Sequence, residues 1–160
     1  MHANFGFFIQ VMTYGTSQSN ARNYWQQRQK WFESKVFAHE EWGSYLIGEQ
    51  ASALTVEVQA CYCVGAWVAA TALAFSVVEA HLVDLANGTA PPNAKQLLEQ
   101  TSLGEEYQTL RLRRNRLLHL RLEEPGITVD QQWGNREELQ AEAEHAIELM
   151  LAVLYSNPGV

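Results

Sequence analysis

Residues 60–78 read ACYCVGAWVAATALAFSVV and contain no charged side chain. As a helix, the run is long enough to cross a bilayer. Its composition argues for a different role. Small residues dominate it, and the nearest flanking charges are Glu57 and Glu79, with no Lys or Arg to anchor or orient a span. The rest of the chain reads as amphipathic helices that need a central apolar partner. The run is therefore expected to be the buried centre of an all-α domain with no membrane contact.

Helix signals lie on both sides of it. The run itself sits in one long helix expected over about Ser52–Leu85, stopped by Asn87-Gly88. Before it, Ser17 or Ser19 opens a helix whose Trp25, Phe32 and Val36 share a face, with Gly43 and Gly48 bracketing its end. After it, Pro91-Pro92 precedes a short helix over Asn93–Gln100. Ser102-Leu103-Gly104-Glu105 has the form of a capping box and opens a helix through Tyr107 to about Arg121, closed by Pro125-Gly126. Asn135-Arg136-Glu137-Glu138 opens a last helix to about Tyr155, ended by Asn157-Pro158-Gly159. It carries Leu139, Ala143, Ala146, Met150 and Val153 on one face. No strand alternation or internal repeat stands out. The expected fold is all-α, an up-and-down helical bundle of four to five helices forming one domain over residues 1–160. Residues 1–16, aromatic on several sides, are expected to form an arm against the domain or a partner chain.

Composition narrows the function classes. The chain has 160 residues, 47% of them apolar, enough for one packed core. Its net charge of −7 does not suit a general nucleic-acid coat, which relies on many phosphate contacts. The positive charge is concentrated, however. Five of the eleven Lys and Arg residues fall between Arg111 and Arg121. Such a strip addresses phosphate locally. The two cysteines, Cys61 and Cys63, are too few and too close for a disulfide framework, and are read as buried free thiols of a cytoplasmic protein. The N-terminus lacks the basic region of a secretory leader.

On a helical wheel, Tyr107, Arg111, Arg114, Asn115 and His119 fall on one side of the basic helix, and Leu110, Leu117 and Leu120 towards the other. That first set suits phosphodiester chemistry. Arginine holds a phosphate with two parallel hydrogen bonds and stabilises charge growing on its oxygens. Histidine titrates near neutrality and serves as general acid or base. Asparagine orients the imidazole or holds the phosphate. RNA supplies its own nucleophile in the 2′-hydroxyl, so no metal or cofactor is needed.

Arg114-Asn115-x-x-x-His119, late in a helical bundle, resembles the signature of HEPN domains: Arg, four to six residues, then His, often with a polar residue just after the Arg. The resemblance implies catalytic roles for Arg114, Asn115 and His119; Arg111 and Tyr107, on the same side of the helix, are expected as substrate contacts. It also implies metal-independent endoribonuclease activity, a homodimer that brings two motifs together, and a setting in toxin or defence systems, where some members have a cognate antitoxin protein. Other members have lost catalysis, so a non-catalytic adaptor of the same fold is the alternative.

Other candidates carry less. Glu79 and Asp84, with His81 between them, read most simply as a buried helix emerging into water. The competing reading makes one carboxylate a partner for Arg114 or His119. Glu142 and His145 form one Glu-x-x-His pair where a di-iron bundle needs two. His39-Glu40-Glu41 reads as helix surface. Cys61-Tyr62-Cys63 lacks the second ligand pair of a zinc site. There is no glycine-rich phosphate loop, G-x-S-x-G or H-E-x-x-H motif.

Overall fold

The computed structural model describes residues 18–41, 45–89, 91, 93–119, 121 and 123–156. The expected arm over residues 1–16, the stop at Asn157-Pro158-Gly159, and Gly43, Pro92 and Leu120 lie outside them. Every regular element among the described residues is a helix, with no strand. The helices are α1 (Gln18–Glu40), α2 (Glu49–Val64), α3 (Trp67–Leu85), α4 (Ala94–Glu99), α5 (Glu105–Leu118), α6 (Val129–Gly134) and α7 (Arg136–Leu154).

The helix expected over Ser52–Leu85 is two helices. Gly65 adopts a left-handed φ of 80°, and its N–H and that of Ala66 return to the carbonyls of Tyr62 and Cys61, closing α2. The chain then reverses into α3. The two helices run antiparallel along their length: a Cβ on Gly48, just before α2, would meet the Asp84 carboxylate at the far end of α3. This hairpin folds the apolar run back on itself. Gly65→Ala is expected to cost about 1–2 kcal/mol from the left-handed backbone alone. The new Cβ would also press on Arg28 Nη1 at 2.9 Å. Urea unfolding of the variant measures the loss; an unchanged midpoint would mean that the turn relaxes freely.

The central helix is α3, flanked by α2, α7, α5 and α4. Ten of its nineteen residues are buried, among them Trp67, Phe75, Val77 and Val78. By length and composition α3 alone among the described helices could cross a membrane. Its buried face meets Val58 and Tyr62 of α2 and Ile147, Met150 and Leu151 of α7 in one continuous core. At roughly 25 cal/mol per Å² of apolar surface buried, such side chains are the main source of stability.

The remaining boundaries follow local chemistry. Asn93 caps α4 through Gln96 N–H. Asn87 and Gly88, both at positive φ, end the segment after α3. Ser102 does not cap α5: the helix begins two residues later than that cap would place it, at Glu105, with Gly104 in the capping position and no side-chain cap. A complete capping box forms instead between Thr128 and Gln131 at the start of α6. α5 stops at Leu118 and not near Arg121. Gly126 comes back so close to the Arg116 carbonyl that no Cβ fits there.

His81, on the buried face of α3, is 2% exposed, and neither ring nitrogen has a hydrogen-bond partner. Burial pushes its pKa down, with Asp84 opposing weakly. The unfolded chain therefore takes up a proton that the fold refuses. His81 costs nothing in this way above about pH 6.5, and stability is lost as the pH falls below the unfolded value. His81→Leu is expected to raise stability by about 1 kcal/mol or more by removing the unpartnered nitrogens. It should also flatten the wild type's decline in melting temperature between pH 7 and pH 5. Parallel pH profiles in the two proteins would refute this account of His81.

Candidate functional site on α5

Helix α5 carries its residues at three different depths. Tyr107 and Leu110 are buried, 5% and 6% exposed, and fix which side of α5 faces α3 and α7. Arg114 lies one and two turns further along the same stripe and is drawn inward with them. Asn115 is half-buried at the edge, and His119 is exposed.

The Arg114 guanidinium is held on three sides. Nη2 donates to Glu79 Oε2 of α3 at 2.8 Å, and Nη1 donates to Asn115 Oδ1 at 3.0 Å. The group lies 5.5 Å from the centre of the Phe75 ring, also on α3. Nε is buried without a partner. The Arg114 and Glu79 side chains keep 22% and 31% of their exposure, so solvent screens the pair and its contribution is modest. Its consequence is geometric: the planar fork is fixed in direction at the rim of the core.

His119 is the residue that ends α5. Its N–H still bonds to the Asn115 carbonyl, but its φ of −111° and ψ of 119° are extended, so the chain leaves the helix here. Among the described residues its imidazole forms no hydrogen bond. Arg111 Nε is tied to Gln108 Oε1 at 2.8 Å on the helix surface. Arg114, Asn115 and His119 line none of the four principal clefts, and the motif occupies open surface at the end of α5.

Two expectations change. Tyr107 was grouped with the substrate contacts because it shares an arc of the wheel with Arg114. That arc turns inward, and the Tyr107 hydroxyl donates to the Leu149 carbonyl of α7 at 3.1 Å, so Tyr107 is a core residue. Glu79 was read first as helix-end surface. It is the carboxylate that pairs with Arg114, a contact between helices 35 positions apart that no local pattern signals.

The other arginine of the strip that is deeply engaged has a different task. Arg113 forms two parallel hydrogen bonds with Glu142 of α7 and donates through Nη1 to the Gly126 carbonyl at 2.6 Å. It thereby fastens the segment after α5 to α7. Glu142 is thus committed to Arg113, and its sequence partner His145 is exposed. His39 stacks on Tyr155, 5.3 Å between ring centres. Cys61 and Cys63 are free; burial raises both thiol pKa values, which disfavours the nucleophilic thiolate.

Compared with protein-family models, with curated proteins and with solved structures, the chain matches none.

Proposed function

We propose that the chain is a HEPN-like, metal-independent endoribonuclease of an up-and-down bundle fold, acting as a cytoplasmic homodimer. The observation that carries this reading is the grouping at the end of α5. An arginine fork fixed by Glu79 and Asn115 is followed, about one and a half turns on, by an exposed histidine whose ring makes no hydrogen bond among the described residues.

In this reading the 2′-hydroxyl attacks the adjacent phosphorus and the 5′-oxygen leaves. His119 takes or gives the proton, Arg114 stabilises the charge on the phosphate oxygens, and Asn115 keeps the guanidinium aligned. Arg111 adds an outer phosphate contact. One imidazole fills one of the two proton-transfer roles at a time. A second copy of α5 across a dimer axis would fill both. A cognate antitoxin would act by covering this surface.

The fixed pair also favours a second reading. Arg114 is already engaged by Glu79, as in a structural arginine, and a non-catalytic adaptor of the same fold would use it so.

The experiment separates the two. With chelator present, the purified protein should cut single-stranded RNA and leave the same sequence intact when every 2′-hydroxyl is methylated. Failure to cut any RNA leaves the adaptor reading. Cutting of the methylated strand, or cutting only with added metal, rules out attack by the 2′-hydroxyl at this site.

A further inference from the structure

A second pair of arginines, distant from α5, converges on the α2–α3 turn. Arg28 of α1 donates through Nη1 to the Cys63 carbonyl at 3.1 Å, and Arg136 of α7 donates through Nη2 to the Gly65 carbonyl at 2.6 Å. Both guanidinia stack on Trp67, at 4.5 and 5.5 Å from its ring centre. They flank one point: a Cβ built on Gly65 would lie 2.9 Å from Arg28 Nη1 and 3.4 Å from Arg136 Nη2. Among the described residues neither makes an ion pair, although acidic residues outnumber basic ones by 18 to 11.

Two neighbouring guanidinia repel each other. Arg136 shows the strain, its pKa pulled down by burial first and by Arg28 second. The carbonyls at the C-terminus of α2 offset part of the charge. Each guanidinium has five N–H donors and gives one to a carbonyl here, so donors remain for a further acceptor.

From Arg28 a groove of about 350 Å³ runs between α1 and α7. That is within the range of small-molecule sites. Its walls combine aromatic rings with polar side chains. Tyr24 is half-exposed, and the half-buried Trp31 lies tilted against the buried Tyr62, 4.7 Å between ring centres. Arg28 lines this groove and lies 5.7 Å from the centre of the Tyr24 ring; Arg136 stands beside its end, on the other side of Gly65. Glu144 Oε1 accepts from the Tyr62 hydroxyl at 2.7 Å and from Gln140 at 2.9 Å. Its second oxygen accepts no hydrogen bond among the described residues.

We infer that this groove binds a nucleoside phosphate. The phosphate sits at Arg28 and Arg136, where forked donors match its oxygens. The base stacks on Tyr24 and Trp31, whose faces accept any base. Glu144 would repel a phosphate placed beside it. It therefore sets the direction of the ligand, facing the base amine or sugar hydroxyls, which donate. The ligand is either a free nucleotide or one residue of a strand. The inference does not rest on cleavage at α5. Trp67 opens α3, and Glu79 lies about 18 Å further along the helix axis.

The test titrates the full chain by calorimetry with each of the four ribonucleoside 5′-monophosphates, the matching nucleosides and inorganic phosphate. At least one monophosphate should bind saturably at one site per chain. Its nucleoside and inorganic phosphate should each bind at least tenfold more weakly, because each fills half the site. Arg136→Lys keeps the charge but loses the fork, and Tyr24→Ala alters an exposed ring. Each should weaken binding at least tenfold; if Arg136→Lys fails to fold, Tyr24→Ala decides. His119→Ala should bind like the wild type, which separates this site from the one on α5. A 2′-O-methylated tetranucleotide distinguishes the sources: tighter binding than the monophosphate assigns the site to a strand, weaker binding to a free nucleotide. Three results overturn the inference: no saturable binding of any monophosphate or of the tetranucleotide, inorganic phosphate as tight as the nucleotides, or affinities unchanged by the substitutions that fold.

Discussion

His119→Ala should abolish most RNA cleavage, lowering the rate by about 10²–10⁴, the usual contribution of a positioned acid or base, while leaving the melting temperature unchanged. The second half of that statement gives the first its force. His119 is exposed, ends α5 in extended backbone that alanine also adopts, and forms no side-chain hydrogen bond among the described residues. Among the described residues no hydrogen bond or ion pair depends on its ring, so lost activity would report chemistry. Arg114 needs a different substitution. Alanine there would leave Glu79 half-buried without its partner and Asn115 without its donor. Arg114→Lys keeps the charge beside Glu79 and loses the planar fork. Its expected cost is about 10²–10³ in rate, comparable to removal of one transition-state hydrogen-bond donor. Activity retained in His119→Ala would contradict the assignment of proton transfer to this residue.

Phe75→Ala is expected to destabilise the fold by about 3–5 kcal/mol, a large share of the stability of a domain this size. Phe75 is 1% exposed in the middle of α3, and its ring also lies beneath the Arg114 guanidinium. Truncation opens a cavity in the core and removes the surface against which the arginine rests. Phe75→Leu retains most of the volume and separates the two effects. It should unfold at moderately lower denaturant than the wild type, and cleavage by the folded protein should fall as the Arg114 fork loses its support. Chemical unfolding and activity measured on the same preparations check both. A Phe75→Ala protein within about 1 kcal/mol of wild type would show that the core around α3 repacks.

The sequence made the helices legible where a polar break marked them. Asn87-Gly88 and Asn93 stand where the structure ends one helical segment and begins the next. The α2–α3 turn was not legible, because Gly65-Ala66 sits inside an unbroken apolar run. Its closing hydrogen bonds are backbone to backbone, and its outer partners, Arg28 and Arg136, come from helices far away in sequence. The Ser102–Glu105 box misled for a related reason: the spacing is right, but the helix starts at Glu105 with Gly104 as its cap.

The candidate site shows the same division. Spacing on one helix put Arg114, Asn115 and His119 on one side; in the structure Arg114 bonds to its neighbour Asn115. A wheel gives relative directions, however, and does not say which arc turns inward. Tyr107 and Leu110 settle that by their burial, and so Tyr107 leaves the site while Arg114 sits at the rim of the core. Glu79 joins it through a tertiary contact. The signal for it was present as the first charge after the apolar run, but the same signal marks any helix emerging from a core.

The most direct measurement is the chemistry of the cut ends. RNA digested by the protein with metal chelated should carry 2′,3′-cyclic phosphate on the upstream fragment and a free 5′-hydroxyl on the downstream one. Such ends follow from attack by the 2′-hydroxyl with the 5′-oxygen leaving. A 3′-hydroxyl and 5′-phosphate would mean that water attacks the phosphorus, and would contradict the roles given to Arg114 and His119.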